Sequence, residues 1–302
     1  MSHKKDKLKP IDRKKQLKDY IGIYVKNIIS GGKRYEGDEV EVVFGRGKSI
    51  SRIDFDNVVS KIKSSGFTCN NESGSYHLNI QNQFIDPKKG VSRMSNIRTT
   101  IHNLQNIQEY CKTDKLNFMD DRNTSVGSVT FMQKKPKYDN EIGLFPINYD
   151  EFNFRINYKS ETTLKPGFGL VKDVIDNWDK TPKIFRLIKR FTFKNDKYPI
   201  KIDMSIVRSS TLSRNDRMIP EFRIEKSNVF NNPEIYEIEI EIDNTVASNT
   251  EGDEDTMCKI IEASINSNIK LILSGIQETN YPISNTVADD VLANYLHILY
   301  QI

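Results

Sequence analysis

Two segments about two hundred residues apart carry glutamates at every second position, a spacing that groups carboxylates on one face of a strand. The first is Glu39-Val40-Glu41, and the second runs from Tyr236 to Asp243 with acids at 237, 239, 241 and 243. Successive strand side chains point to opposite faces, so the acids of each segment share a face. Two ionised carboxylates roughly 6.6 Å apart repel each other by roughly 2 to 3 kcal/mol at an effective dielectric near 20. A positive partner must offset this repulsion.

Hard divalent cations take oxygen ligands, and Mg²⁺ is commonly held by a few carboxylates together with the oxygens of a phosphate. The acidic segments therefore favour a metal-phosphate site. They also fit the solvated face of an amphipathic antiparallel strand with Lys or Arg opposite, which is the commoner arrangement for a single strand. The intervening aliphatic residues are expected to be buried in either case: Ile235, Ile238, Ile240 and Ile242.

Several further segments alternate a bulky apolar face with a charged one. They are residues 152–161, 184–193 and 199–207, together with a short strand around Arg98. An antiparallel sheet usually exposes such a charged face to water, whereas a closed barrel can enclose it and pack the apolar faces outward on helices. The charged positions are Arg98, Arg155, Lys159, Glu161, Arg186, Arg190, Lys201 and Asp203.

The order of elements indicates an antiparallel α+β sheet or barrel rather than βαβ units, because many strands follow one another with few helices between them. Alternation predicts strands at about 38–44, 75–85, 94–101, 125–133, 152–161, 184–194, 199–207, 220–228 and 235–243. Helical spacing predicts helices at about 12–30, 103–112, 168–179, 253–267 and 285–300, the last capped by Ser284, and another that Asp54 caps.

Composition limits the classes of function. The chain has 302 residues and a formal charge of +4, and residues 1–18 form a basic N-terminal tail that either contacts RNA phosphates or is simply solvated. The three cysteines and four histidines are scattered, which argues against a zinc site, a Cys-His nucleophile or a disulfide framework. No apolar run approaches the 18 or so residues of a membrane helix, and no glycine-rich phosphate loop occurs. A reducing compartment is expected.

Four segments taken in order resemble a known family: residues 39–45, 186–193, 201–205 and 236–241. They are similar to the metal-dependent RNA 5′-triphosphatases of the triphosphate tunnel metalloenzyme superfamily. Within it, the pattern looks most like the N-terminal triphosphatase domain of mRNA capping enzymes from large DNA viruses of the poxvirus, asfarvirus and giant-virus kind. The resemblance implies an α+β fold with an eight-stranded antiparallel barrel, a polar lumen and helices packed outside, as a single domain over residues 19–302.

The resemblance also implies roles for individual residues. The ligands of Mg²⁺ or Mn²⁺ would be Glu39, Glu41, Glu237, Glu239 and Glu241. The triphosphate would be held by Arg98, Arg155, Lys159, Arg186, Arg190 and Lys201. Asp203 would support these bases or a metal-bound water, and the catalytic set would be Glu39, Glu41, Glu239, Glu241, Arg186, Arg190, Lys201 and Asp203. Ile188 stands where family members often carry a third base, so the clamp would be one charge short unless Lys189 or Arg223 supplies that charge.

The implied activity is an mRNA-capping RNA 5′-triphosphatase that removes the γ-phosphate of 5′-triphosphate RNA, and that also acts as an NTPase with manganese. The implied partners are the 5′ end of nascent RNA and guanylyltransferase and methyltransferase domains or subunits, with no membrane, in the cytoplasm or virion. The guanylyltransferase motif Lys-x-Asp-Gly is absent, so the chain is expected to be the triphosphatase domain alone, either by itself or as the front part of a longer capping enzyme.

Three alternatives stay open at this stage. Another tunnel-fold triphosphatase, acting on tripolyphosphate or nucleotides, would use the same residues. A non-catalytic RNA-binding or scaffolding subunit would carry the same charged strands with their charges merely solvated. A nuclease would need its metal-bound carboxylates in an open groove.

Overall fold

A computed structural model describes residues 12–31, 37–86, 90–116, 128–139, 142–248 and 252–299, and shows a closed antiparallel barrel. The strands, in chain order, are β1 (Asp38–Phe44), β2 (Thr68–Cys69), β3 (Ser75–Ile85), β4 (Ser92–Met94), β5 (Ile97–His102), β6 (Val129–Pro136), β7 (Tyr138–Asp139), β8 (Ile142–Gly143), β9 (Ile147–Tyr149), β10 (Phe154–Leu164), β11 (Lys183–Lys194), β12 (Ile200–Ser209) and β13 (Ile235–Ile242). The helices are α1 (Arg13–Gly31), α2 (Arg52–Ser64), α3 (Leu104–Thr113), α4 (Gly169–Asp176), α5 (Asn244–Ser248), α6 (Glu254–Ile276) and α7 (Asn285–Leu299).

Among the described strands, eight form the barrel, in the spatial order β11, β12, β13, β1, β10, β6, β5 and β3. The barrel closes because β3 also pairs with β11, with Asn82 opposite Lys183 and Ser75 opposite Arg190. A closed barrel leaves its eight strands without a free edge. The expected α+β fold with an eight-stranded antiparallel barrel is therefore confirmed.

The apolar faces of the barrel strands point outward, and helices cover them. The largest cluster packs α1, α2 and α6 against β1, β10, β12 and β13, and includes Tyr24, Val42, Val58, Ile240 and Ile265. A second cluster joins β3, β5 and β11 to α3 through Leu78, Ile101, Ile107 and Phe185. Because this burial uses one face of every strand, the alternating charged positions turn into the lumen.

Helix starts follow ordinary capping chemistry, with one correction to the sequence analysis. Ser51, rather than Asp54, caps α2: the Ser51 hydroxyl accepts from the Asp54 N–H at 3.1 Å, and the Asp54 carboxylate accepts from the Ser51 N–H at 3.0 Å. This reciprocal pair is a capping box, in which the acid occupies the third helical position. Ser284 caps α7 as expected, since its hydroxyl accepts from the Val287 N–H at 3.3 Å.

One predicted strand is wrong, and the end of one predicted helix is misplaced. Residues 220–228 are not a strand; they contain a single 3-10 turn, Ile224–Ser227, because Ile224 is buried in the second cluster while Phe222 is exposed. Helix α6 runs nine residues past the predicted end at 267, because its buried Asn268 donates to the Ser264 carbonyl within the helix at 2.8 Å.

The predicted basic tail, residues 1–18, lies mostly outside the described residues, and α1 begins at Arg13 within it. The division of the chain at residue 18 and the single domain over 19–302 stay predictions. Within the described ranges, no helix is both long and apolar enough to cross a bilayer.

Alanine substitutions at two helical glycines should change the free energy of unfolding in opposite directions. A Cβ built on Gly275 of α6 would lie 2.9 Å from the backbone Cα of Val58 in α2, whereas one on Gly22 of α1 would have nothing within 4 Å. We expect Gly275→Ala to lower the free energy of unfolding by about 1 to 3 kcal/mol through overpacking. Gly22→Ala is the matched control and should raise it by about 0.5 to 1 kcal/mol. Urea denaturation of both variants measures the difference, and a Gly275→Ala variant as stable as Gly22→Ala would contradict the α2–α6 contact.

Candidate functional site

The barrel encloses a cavity of about 620 Å³, here called the lumen cavity. Among the described residues, eight cationic side chains and six carboxylates line it, which is an unusual concentration of charge for an interior. The cations are Arg46, Arg98, Lys134, Arg155, Lys159, Arg186, Arg190 and Lys201, and the acids are Glu39, Glu41, Glu161, Glu237, Glu239 and Glu241. Every residue predicted to bind metal or triphosphate is in this lining; of the predicted catalytic set, Asp203 is not.

Strand pairing brings the two acidic segments together. β1 lies beside β13 with Glu41 opposite Glu241 and Val43 opposite Glu239, although the segments are about two hundred residues apart in the chain. Directly opposed residues of antiparallel strands place their Cβ atoms about 5 Å apart on the same face. The carboxylates of β1 and β13 therefore form one acidic group in the lumen.

Lys134 of β6 pairs with the carboxylates of β1 and with Glu161 of β10. Its Nζ lies 2.5 Å from Glu39, 3.4 Å from Glu41 and 2.8 Å from Glu161. Burial alone would lower the pKa of Lys134, but the three carboxylates outweigh it and raise the pKa above its ordinary value. The sequence analysis missed this residue because it ended the strand at 133, one residue before Lys134.

The pKa values of Glu41 and Glu39 are shifted in opposite directions. Burial would raise the pKa of Glu41, but Lys134, Lys159 and a 2.9 Å hydrogen bond from Asn157 outweigh it and lower the pKa. Burial raises the pKa of Glu39 to about 8, and the charge of Glu41 adds to the rise. Burial and the charge of Glu41 therefore disfavour the ionised form of Glu39, against the attraction of Lys134 at 2.5 Å.

The metal-free protein should lose stability as the pH rises from about 6 to 8.5. Burial also raises the pKa of Glu239, to about 7, against 4.5 for an ordinary glutamate. In this window the folded protein binds protons that the unfolded chain has released, so the free energy of unfolding falls with rising pH. Glu39→Gln should flatten the slope, and Glu72→Gln, at an exposed site, should not. Urea denaturation at several pH values in EDTA is the test; an unchanged slope in Glu39→Gln would contradict the assignment.

Arg190 of β11 donates hydrogen bonds to three side chains. Its guanidinium donates to Asp203 at 3.1 Å, to the Ser205 hydroxyl at 3.0 Å and to Glu239 at 3.4 Å. Two further ion pairs bring bases of the lumen to β13: Lys201 with Glu241 at 3.1 Å, and Arg186 with Glu237 at 2.6 Å. Each base therefore reaches the cavity while a carboxylate holds it in place.

Three arginines of the cavity keep a buried donor without a protein acceptor. The Nε atoms of Arg98, Arg155 and Arg186 are buried and have no hydrogen-bond partner among the described residues. An unpaired buried donor costs about 1 to 3 kcal/mol, more when it is charged, so stability does not explain why these arginines lie in the barrel. Guanidinium groups match the oxygens of phosphate and carboxylate, which indicates an anion in the lumen cavity.

Asp203 was expected to support the bases of the lumen or a metal-bound water. It is buried beneath Arg190 and accepts from the Thr192 hydroxyl at 2.5 Å, so it supports Arg190 and does not itself line the cavity. Two details of the sequence analysis need correction. Lys189 points away from the lumen, over the rings of Tyr76 and Phe191, and Arg223 is exposed, so neither supplies the charge expected of it. Ile235 is 43% exposed, since it lies at the start of β13.

A pair of neutral histidines lies inside the barrel near Arg190. The Nδ1 atoms of His77 and His102 are 3.1 Å apart, and His102 Nε2 lies 2.7 Å from the Thr130 hydroxyl. Burial lowers the pKa of His77 to about 4, and His102 and Arg190 add to the effect. The pair is uncharged at neutral pH and adds no cation to the site.

The carboxylates of the lumen cavity provide the type of donor atom that a hard divalent ion binds. They supply only oxygen donors, which Mg²⁺ and Mn²⁺ prefer, and the raised pKa of Glu39 and Glu239 marks carboxylates that a cation would favour in the ionised form. Among the described residues, no three acidic, histidine or cysteine side chains stand together as a ready set of metal ligands. Lys134 and Lys159 pair with Glu39 and Glu41 instead.

Comparison with known proteins found solved structures with a similar backbone fold. No protein-family model matches the chain, and no curated protein matches it. The S. pombe Pct1 RNA triphosphatase is similar at 12% identity and a TM-score of 0.48, over 87% of this chain and 94% of that one. The same enzyme in complex with the Spt5 CTD is similar at 12% identity and a TM-score of 0.43, over 91% and 95%. At this level of similarity, the chemistry of the site rests on its own side chains.

Proposed function

We propose that this chain hydrolyses the β–γ phosphoanhydride bond at the 5′ end of triphosphate-ended RNA, leaving a diphosphate end and inorganic phosphate. The observation that carries the proposal is the lumen cavity, in which arginines with unpaired buried donors face a group of carboxylates. A triphosphate is a chain of oxygen acceptors that can bridge such bases to metal-binding acids. The strand motifs that resemble RNA triphosphatases supply these same residues.

The side chains of the cavity would act by positioning and charge neutralisation. Arg98, Arg155 and Arg186 line the cavity and would face the phosphate oxygens, and Arg190 is fixed by Asp203 and Ser205. Phosphoryl transfer spreads negative charge over the equatorial oxygens, so fixed cations lower its barrier without forming a covalent intermediate. A barrel interior also limits access of water, which strengthens these interactions.

Glu39, Glu41, Glu239 and Glu241 would hold Mg²⁺ or Mn²⁺, with Glu237 at the Arg186 side. When bound, the metal supplies charge for the γ-phosphate oxygens and lowers the pKa of a water. Glu39 and Glu41, which pair with Lys134 and Lys159 in this structure, would exchange those contacts for that ion. The viral origin, a cytoplasmic site of action, the NTPase activity with manganese and the guanylyltransferase and methyltransferase partners stay predictions.

A substrate comparison tests the proposal. Phosphate release would be measured from triphosphate-ended RNA, ATP and tripolyphosphate at equal concentrations, with Mg²⁺, Mn²⁺ or EDTA. We expect metal-dependent release with the highest kcat/KM for RNA. A strong preference for a small triphosphate would make the chain another tunnel-fold triphosphatase, and internal cutting of RNA would make it a nuclease. A folded protein that releases phosphate from none of them would be a binding module.

A further inference from the structure

A second cavity, of about 370 Å³, adjoins the lumen cavity and differs from it in chemistry. It shares Lys134 and Lys159 with the lumen cavity, but the rest of its lining is largely apolar and includes Tyr138, Phe145 and Pro146. We call it the aromatic recess. Its volume falls in the range of about 300 to 1,000 Å³ that is typical of small-ligand sites.

Two aromatic rings of the recess are exposed although apolar burial would favour covering them. Phe145 is 72% exposed, the highest value for a phenylalanine among the described residues, and Tyr138 is 60% exposed. A Cβ built on Gly143 would lie 3.4 Å from both rings, so the two rings flank the same residue. They form one aromatic surface rather than two isolated side chains.

The backbone beneath these rings is fixed by hydrogen bonds. The Tyr20 hydroxyl of α1 donates to the Phe145 carbonyl, and the Leu144 N–H donates to the Lys137 carbonyl at 2.9 Å. Lys137 is in turn held by both carboxylate oxygens of Asp38 at 2.8 Å. A ligand that covered the rings would therefore meet a preorganised surface and lose little entropy in ordering it.

The rim of the recess is cationic. Lys134, Lys135 and Lys159 border it, and the first and third of these also face the lumen cavity. Aromatic faces next to a lysine-lined path are the usual surface for nucleic acid, because bases stack on the rings while the cations follow the phosphates.

On this ground we propose that the aromatic recess binds the terminal nucleoside of the substrate, with its base stacked on Phe145 and Tyr138 while its triphosphate enters the lumen cavity past Lys134 and Lys159. The inference rests on the proposed function, because it takes the lumen cavity as the triphosphate site. It assigns the preference for RNA over inorganic triphosphates to residues outside the charged lumen.

Binding in the absence of metal tests the inference. The probe is the 5′-triphosphate of 2-aminopurine riboside in EDTA, whose fluorescence falls when its base stacks; tripolyphosphate binding is measured beside it by calorimetry. We expect quenching with the parent protein. Phe145→Ala and Tyr138→Ala should each raise the ratio of the nucleotide Kd to the tripolyphosphate Kd about 5- to 100-fold, the range of base–aromatic stacking. Tyr281→Ala, at a residue 80% exposed elsewhere, is the control and should leave the ratio unchanged.

The outcomes separate the two proposals. Loss of tripolyphosphate and nucleotide binding to the same extent in both recess variants, or no change in either, would overturn the stacking inference. Quenching that depends on Phe145, in a protein that hydrolyses no triphosphate with Mg²⁺ or Mn²⁺, would support the inference and overturn the proposed hydrolysis. With hydrolysis present, the KM for triphosphate-ended RNA should rise in Phe145→Ala by the same factor as the Kd ratio.

Discussion

Glu239→Gln should reduce metal-dependent phosphate release by about 10²-fold or more, without loss of stability at pH 8. Glutamine resembles the protonated form of Glu239 in size and lacks the charge that the proposed metal and the transition state require. Burial already raises the pKa of Glu239 to about 7, so the folded protein holds its charged form at a cost above that pH. Removing that charge should therefore leave the unfolding midpoint at pH 8 unchanged or higher.

Glu234→Gln is the matched control for this variant. Glu234 lies just before the same strand, outside the lumen cavity, where it pairs with Arg208 at 3.0 Å. Phosphate release and thermal unfolding would be measured on both variants in parallel. An active Glu239→Gln protein would remove this carboxylate from the site, and an inactive but unfolded one would mean that its role is structural.

Arg190→Met should both inactivate the protein and destabilise it by about 3 to 5 kcal/mol. The side chain of Asp203 is 3% exposed, so the loss of its partner at 3.1 Å leaves a buried unpaired carboxylate. Adding Asp203→Asn removes that charge and should recover most of the stability, because an amide oxygen can still accept from Thr192. The double variant should stay inactive, since the base that faces the phosphates is still missing.

Urea denaturation of the single and double variants gives the coupling between the two residues, and phosphate release gives the activity. The control is Arg208→Met, which breaks an ion pair with both partners more than a third exposed and should cost less than about 1 kcal/mol. Recovered activity in the double variant would show that Arg190 only compensates Asp203. An Arg190→Met protein of unchanged stability would contradict the buried pair itself.

Alternation along the strands predicted which side chains meet in the lumen. In β10 and β13, every second residue had to be apolar to pack on helices, so the faces of Arg155, Lys159, Glu239 and Glu241 followed from the period alone. Packing confirmed those faces, because the alternate Ile156 and Ile240 are buried outside the barrel. The roles of these residues in binding and catalysis stay predictions.

Other features depended on contacts that a single sequence does not show. The pairing of β3 with β11 closes the barrel between segments about a hundred residues apart, and no local signal specifies it. Lys134 was missed because the predicted strand ended at 133, whereas β6 continues to Pro136. The face of Asp203 was predicted, but the pattern did not show that Arg190 covers it. The sequence pattern predicts which face of a strand a side chain lies on. Whether that side chain is exposed to the cavity depends on the side chains of neighbouring strands.

The central claim is that the chain cleaves one bond, between the β and γ phosphorus atoms of a 5′-triphosphate RNA end. Phosphorus NMR of a short triphosphate-ended RNA, incubated with the protein and Mg²⁺ or Mn²⁺, observes that bond directly. We expect the triphosphate resonances to give way to a diphosphate end and an equal amount of orthophosphate, with no change in EDTA. Release of pyrophosphate with a monophosphate end, or an unchanged spectrum with folded protein and either metal, would contradict the account.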